Sequence, residues 1–212
     1  MTIPFDPQCR RCPRLAAHLD AVRREHPEYH CAPVAPFGDP EARLLVVGLA
    51  PGMHGANASG RPFTGDHAGI LLYATLHRFG FADRPVSEHA EDGLRLIDAR
   101  ITNAVKCLPP QNKPTGAEVR ACNDYLAAEL AGLPEGAVVI GLGRVAHEAV
   151  LRALGERPSR FAFSHGGEHP LAAGRLLIDS YHCSRYNTQT KRLTEAMFHA
   201  VFARARDHLD AR

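Results

Sequence analysis

The sequence has no tryptophan, few other aromatic residues and no long apolar run. Because a membrane-spanning helix needs roughly 18 apolar residues or more, none is predicted. The residues up to Arg14 also lack the apolar stretch of a secretory signal peptide. We therefore expect a soluble, cytoplasmic protein.

Charge and length restrict the possible functions only weakly. The net charge is +2 at pH 7, beside 13 histidines, and nucleic-acid binding depends on where charge clusters rather than on its total. The 212 residues contain no internal repeat or low-complexity linker, and they suffice for one domain with a substantial core. We expect a single domain over residues 1–212, with a cysteine-bearing N-terminal segment, residues 1–40, packed on it.

Four short apolar segments alternate with segments of helical periodicity. Strands are predicted at residues 43–48, 99–105 and 137–140 and from Leu176 onward. Such alternation, with few hairpin signals, is typical of a parallel sheet with helices on both faces. The predicted fold is α/β, a three-layer αβα sandwich with a central four-stranded parallel sheet.

Three unusual loops follow strands of this predicted sheet. They cover residues 51–66, 106–114 and 182–190, after the first, second and fourth strands. In parallel sheets, ligands bind beyond the carboxyl ends of the strands. We therefore expect the three loops to meet at one edge of the sheet and to form the binding site.

The cysteines favour metal binding or burial over disulfides, because the cytosol is reducing. Cys9 and Cys12 form a C-x-x-C pair, Cys107 follows the second strand, and Cys122 lies in the next helix. Four thiolates suit either zinc or an iron–sulfur cluster. Cys122 also falls on the apolar stripe of its helix, so a core role stays open. Two further cysteines have no partner at ligand spacing and are predicted not to be ligands: Cys31 and Cys183.

The loop after the first strand is dense in glycine, which lets a backbone approach a ligand closely. It contains neither the phosphate-binding nor the dinucleotide-binding glycine pattern. Phe63 could stack on a flat ring or could be a core aromatic residue. Asp66 could act as a base or hold a water, and its position also fits the N-cap of the helix that carries Leu72.

These segments together resemble the uracil-DNA glycosylase superfamily, most closely its family five. The similarity is carried by residues 48–52 (GLAPG), 60–66 (GRPFTGD), 101–115 (ITNAVKCLPPQNKPT) and 180–194 (SYHCSRYNTQTKRLT). The cysteine spacing is also similar to that of the family, which implies a 4Fe-4S cluster held by Cys9, Cys12, Cys107 and Cys122. One position departs from the pattern, since Cys183 stands where the family usually has a proline that would rigidify the loop.

The resemblance implies an enzyme that flips uracil out of DNA and cuts its N-glycosidic bond. Asn103 would then bind the Watson–Crick edge of uracil, Phe63 would stack on the ring, and His182 would donate toward O2. Family four carries an acidic residue where this chain has Leu49. The role of positioning the attacking water would therefore belong to Asp66. The catalytic candidates are Asp66, His182 and Asn103. The substrate pocket would also include Gly48, Ala50, Pro51 and Gly52.

The last loop is expected to contact the DNA. Cationic side chains there would bind phosphates, and an aromatic side chain would wedge into the duplex. The DNA-binding candidates are Arg185, Tyr186, Asn187, Lys191 and Arg192. The predicted protein is thus a monomeric uracil-DNA glycosylase acting on uracil-containing DNA, with a pocket that could admit other deaminated bases.

Two other functions remain open from the sequence. A damage-binding protein without turnover on the same fold is favoured by Leu49 and Cys183. A zinc-stabilised nucleotide hydrolase would use the same four cysteines for a different metal.

Overall fold

The computed structural model describes residues 3–211. A mixed six-stranded sheet forms the centre of this fold. The strands are β1 (Phe37–Gly38), β2 (Leu44–Gly48), β3 (Ala99–Asn103), β4 (Val138–Leu142), β5 (Glu168–Pro170) and β6 (Leu176–Ser180). Their order is β1-β3-β2-β4-β6-β5; the four central strands are parallel and the two outer strands are antiparallel to their neighbours.

The prediction of a four-stranded parallel sheet was therefore wrong in its extent. The four predicted strands form the centre, and β1 and β5 extend the two edges. These edge strands have two and three residues, which is too short for an alternating apolar pattern to appear in the sequence.

The helices begin largely at capping residues that the sequence supplies. They are α1 (Pro13–Glu25), α2 (Ala56–Ser59), α3 (His67–Arg78), α4 (Gly116–Ala131), α5 (Arg144–Ala153), α6 (Arg185–Gln189) and α7 (Glu195–Asp210). A capping box begins α4: the Thr115 hydroxyl accepts from the Glu118 N–H, and the Glu118 carboxylate accepts from the Thr115 N–H. Within residues 3–211, no helix combines the length and the apolar character needed to cross a membrane.

Strand β2 lies in the middle of the molecule and is buried on both faces. Leu44 and Val46 belong to the core that includes residues of α3 and α7, whereas Leu45 and Val47 belong to the core formed with α4 and α5. Leu15 of α1 packs into this second core. Each buried aliphatic side chain contributes about 1.5–3 kcal/mol to folding, so this strand is fixed firmly between two helical layers.

The parallel register brings the carboxyl ends of the central strands to one edge. Gly48, the last residue of β2, pairs with Asn103, the last residue of β3. Leu142 at the end of β4 pairs with Ser180 at the end of β6. The loops that follow these four strands therefore start side by side.

Candidate active site

A cavity of about 470 Å³ opens at this edge of the sheet. The three loops predicted to converge all contribute to its wall, as do residues after β4. Four of the predicted site residues line it together: Phe63, Asp66, Asn103 and His182. Ala50 and Gly52 also line the cavity, whereas Pro51 is buried in the loop and Gly48 lies behind the wall.

Phe63 forms an aromatic wall of the cavity. Its backbone is left-handed, with a φ of 56°, and its side chain is buried. Such a conformation costs a non-glycine residue about 1–3 kcal/mol and persists only where the surroundings impose it. Gly69 in the first turn of α3 allows this, because a side chain there would overlap the Phe63 carbonyl oxygen. The ring stacks against His182, with centroids 6.0 Å apart and planes inclined by 26°.

Asn103 places an amide in the cavity at the end of β3. The residue is 4% exposed, and its Oδ1 has no hydrogen-bond partner among the described residues. A buried polar atom without a partner is costly unless a ligand or water satisfies it. The amide is therefore available to a ligand that presents a donor at this point.

His182 follows β6, and a hydrogen bond to its backbone carbonyl oxygen supports its position. Asn187 Nδ2 donates to the His182 carbonyl oxygen at 2.8 Å, so this amide supports the loop from within. Burial lowers the pKa of His182 to about 4, and the ring is therefore neutral at physiological pH. Its buried Nδ1 has no hydrogen-bond partner within residues 3–211.

Asp66 caps α3 and also lines the cavity. One carboxylate oxygen accepts from the Gly69 N–H at 2.8 Å, which confirms the capping interpretation. The other oxygen lies against Gly55. Burial raises the pKa of Asp66 above its usual value, against the opposing hydrogen bonds from Gly69 and Ala68. The two interpretations of this residue are thus compatible.

The turn between β4 and α5 is a part of the site that the sequence interpretation missed. Leu142, Gly143, Arg144 and Val145 line the cavity, and Gly143 has a φ of 92° that favours glycine. The turn is short and contains no unusual motif. The signal that could have found it is its place after a central parallel strand, the same rule that identified the other loops.

The predicted DNA-facing residues lie mostly on the surface beside the cavity. Arg185 lines the cavity and is exposed, and Tyr186 is 70% exposed at the start of α6. Lys191 and Arg192 are exposed, with the Arg192 guanidinium 4.8 Å from the ring centroid of Tyr181. Asn187 differs from these exposed residues, because its side-chain amide donates to the His182 carbonyl oxygen within the loop.

A second, small cavity lies between α1, α4 and the segment that follows β3. Cys9, Cys12, Cys107 and Cys122 all line it. Burial and the neighbouring cysteines raise the pKa of Cys107 to about 12, and burial raises the pKa of Cys122 as well. The Lys106 backbone N–H donates to Cys122 Sγ at 3.3 Å. The fold therefore brings together four cysteines that are spread over more than a hundred residues of the sequence.

The two remaining cysteines lie elsewhere. Cys31 packs with Leu19, Val22 and Leu108, and Cys183 is fully buried in the core on the α3 and α7 side of the sheet. Cys183 thus occupies a core position where the resembled family usually has proline. The loop after it is ordered by Ser184, whose hydroxyl caps α6.

Comparison with known proteins agrees with this geometry. Residues 35–206 match the family model of the Uracil DNA glycosylase superfamily. The Type-5 uracil-DNA glycosylase of Thermus thermophilus is 50% identical, covering 93% of this chain and 92% of its own. The Type-5 uracil-DNA glycosylase of Mycobacterium leprae is 44% identical, over 93% and 90%. A Type-4 uracil-DNA glycosylase of Pyrobaculum aerophilum is 32% identical over 72% of this chain and 64% of its own.

Proposed function

Because the chain belongs to the uracil DNA glycosylase superfamily, we propose that it removes uracil from DNA by hydrolysing the N-glycosidic bond. Water adds to C1′ of the deoxyribose and gives up a proton, while uracil leaves with the bonding electron pair and takes up a proton. The bond is unreachable inside a duplex, so the nucleotide must first rotate into the cavity. The observation that carries this proposal is the buried Asn103 Oδ1, which has no hydrogen-bond partner among the described residues, in a cavity walled by an aromatic ring.

Asn103 would select the base. Its Oδ1 accepts from N3–H of uracil, and its Nδ2 donates to O4. Cytosine has an acceptor at N3 and a donor at the exocyclic position, so both contacts become repulsive. Phe63 stacks on the ring and fixes its plane. Selection thus follows from a hydrogen-bond pattern that cytosine cannot reproduce.

His182 would stabilise the departing base. Negative charge develops on O2 and N1 of uracil as the bond breaks, and a neutral imidazole can donate a hydrogen bond to O2. The low pKa of His182, about 4, keeps the ring in this form. Loss of one such donor typically slows a reaction by about 10²–10³-fold.

Asp66 would hold the attacking water. One carboxylate oxygen accepts the capping bond from the Gly69 N–H, and the second oxygen would take the water. The residue lines the same cavity as His182 and Asn103, and Leu49, also in the wall, has no group that could bind a water. Asp66 is therefore the acidic side chain assigned to this step.

The exposed residues of the last loop would hold the DNA. Arg185, Lys191 and Arg192 supply phosphate contacts, and the exposed Tyr186 ring enters the space that the flipped nucleotide leaves. Asn187 supports the loop through its bond to the His182 carbonyl. The protein is proposed to act as a monomer.

The four cysteines would hold a structural 4Fe-4S cluster that joins the N-terminal segment to β3 and α4. The donor set fits, since iron–sulfur clusters are held by four thiolates. Four thiolates also suit zinc, and metal analysis of the purified protein distinguishes the two.

Other deaminated bases share the edge that Asn103 would bind. Deamination replaces an amino group by a carbonyl and places a proton on the adjacent ring nitrogen, in purines as in cytosine. A cavity of about 470 Å³ is also roomy for a single pyrimidine. We therefore include deaminated purines among the proposed substrates.

The decisive experiment uses a duplex oligonucleotide with one U·G pair, followed by alkaline cleavage. Strand scission is expected with the purified protein, with a loss of about 10²–10³-fold in His182→Ala and no change in His89→Ala, an exposed histidine of another loop. A gel shift without scission would instead identify a binding protein. Iron and acid-labile sulfide should be present at about four per chain, and zinc in their place would overturn the cluster assignment.

A further inference from the structure

A short turn after α1 is tied to that helix. Residues 26–31 form this turn, which we call the N-terminal brace. Arg23 in the last turn of α1 donates through Nη2 to the Cys31 carbonyl oxygen at 2.6 Å and to the His30 carbonyl oxygen at 3.2 Å. The position of the brace is therefore set by α1, the helix that begins directly after Cys12.

The brace is also bonded to α2, which belongs to the glycine-rich loop of the active site. The His30 N–H donates to the Ala58 carbonyl oxygen at 3.0 Å, and the Cys31 N–H donates to the Asn57 carbonyl oxygen at 3.1 Å. These two bonds join consecutive residues of the brace to consecutive residues of α2. The pairing fixes their relative position.

Tyr29 adds a side-chain bond to the same loop. Its hydroxyl and His54 Nδ1 are 2.9 Å apart and hydrogen-bonded. The Tyr29 ring stacks on His26, with centroids 4.5 Å apart and planes inclined by 11°, and His54 stands edge-on to both rings. His54 is itself exposed, so these contacts decide where it lies.

His54 belongs to the stretch of backbone that packs on Asp66. A side chain at Gly55 would lie 2.6 Å from Asp66 Cβ and 2.7 Å from Asp66 Oδ2. A side chain at Gly65, the residue before Asp66, would lie 3.5 Å from the His54 carbonyl oxygen. A shift of His54 therefore moves the wall against which the Asp66 carboxylate is held.

We propose that Tyr29 is a positioning residue for base excision, acting through His54 to hold the Gly52–Gly55 backbone against Asp66. The inference rests on the proposed function. The matching family model begins at residue 35, so this role belongs to a segment that precedes the part matched by the superfamily. The brace adds a second task to the N-terminal segment beside carrying two cysteines.

The test compares Tyr29→Phe, His54→Ala and the double variant in the intact protein. Tyr29→Phe keeps the stack on His26 and removes only the hydroxyl. We expect the single-turnover rate constant on the U·G duplex to fall about tenfold. The dissociation constant for a duplex with non-cleavable 2′-fluoro-deoxyuridine, the visible absorbance and the melting temperature should stay as in the wild type.

The double variant separates positioning from general loosening. If Tyr29 acts through His54, both single variants lose the same contact, and combining them slows the reaction no further. His89→Ala serves as the control and keeps the wild-type rate. A wild-type rate in Tyr29→Phe, additive losses in the double variant, or losses that follow weaker DNA binding would each overturn the proposal. Failure of the wild type to release uracil would instead refute the proposed function.

Discussion

Asn103 and Phe63 meet directly in front of Gly48. A side chain at Gly48 would overlap Asn103 Oδ1 and would lie 2.5 Å from Phe63 Cζ. The Asn103 amide and the Phe63 ring thus occupy the space that any other residue at the end of β2 would need. This explains physically why β2 ends with glycine.

Gly48→Ala should disable the pocket without unfolding the protein. The added methyl group would push the amide and the ring from their positions, and displacement of about 1 Å can slow catalysis about 10²-fold. Single-turnover kinetics on the U·G duplex and thermal unfolding would measure the two effects. The matched control is Gly132→Ala, where the backbone is helical and the nearest atoms lie 3.6 Å or more away. Equal activity of the two variants would contradict the arrangement.

The rate of uracil release should decline at acid pH, because the role proposed for Asp66, to hold the attacking water, requires its ionised form. Burial raises the pKa of this carboxyl group, so the decline should begin at a higher pH than for an ordinary aspartate. His182 stays neutral down to its pKa of about 4. Single-turnover rates across this range should show an acid limb in the wild type. An identical limb in Asp66→Asn would show that another group is responsible.

The buried His147–Asp179 pair should make stability depend on pH. His147 Nδ1 lies 2.8 Å from Asp179 Oδ1, and its Nε2 donates to the Phe161 carbonyl oxygen at 3.1 Å. Burial acts to lower the pKa of His147, but the bond to Asp179 and its charge raise it overall. Because the pKa of His147 is raised in the folded state, the protonated ring stabilises the fold. This contribution is fully present below the unfolded pKa of about 6.5 and is lost as pH rises through the folded pKa.

The comparison that tests this pair is His147→Gln against the wild type. The difference in unfolding free energy should be about 1.5–3 kcal/mol on the acid side and should shrink at alkaline pH. Urea titrations at several pH values would measure it. A difference that is constant with pH would mean that the histidine contributes by packing alone.

Lys106 forms a buried ion pair that should be costly to break from one side. Its Nζ lies 2.6 Å from Glu129 Oε1 and also bonds the Thr102 hydroxyl, while its side chain is 1% exposed. Lys106→Met leaves the carboxylate buried without its partner and should destabilise the protein by about 3–5 kcal/mol. Adding Glu129→Leu should recover much of this loss in urea unfolding. A double variant no more stable than Lys106→Met would contradict the ion-pair explanation.

Much of the active site followed from residue type and from the topology of parallel strands. The end of β3 at Asn103 and the start of the loop at His182 follow strongly apolar strands, so both could be assigned to one edge of the sheet. The helix start at Asp66 could also be predicted, because capping is a local interaction. These assignments needed no distant contacts.

Contacts between distant segments could not be predicted in the same way. The turn at Gly143 carries no local motif, and its role depends only on the neighbouring strands. The two edge strands have too few residues for a periodic signal. The bond between Tyr29 and His54 joins separate loops, and neither residue has a neighbour in sequence that indicates the other.

The left-handed backbone at Phe63 means that the shape of the binding cavity is settled before any DNA arrives. The packing of the folded chain offsets the backbone strain at this residue. An extruded nucleotide then enters a preformed cavity, and the protein need not reorder to bind it. A rigid cavity of this kind rejects cytosine because it does not fit the hydrogen-bonding edge of that base, without a closing movement that would have to be triggered for every nucleotide inspected.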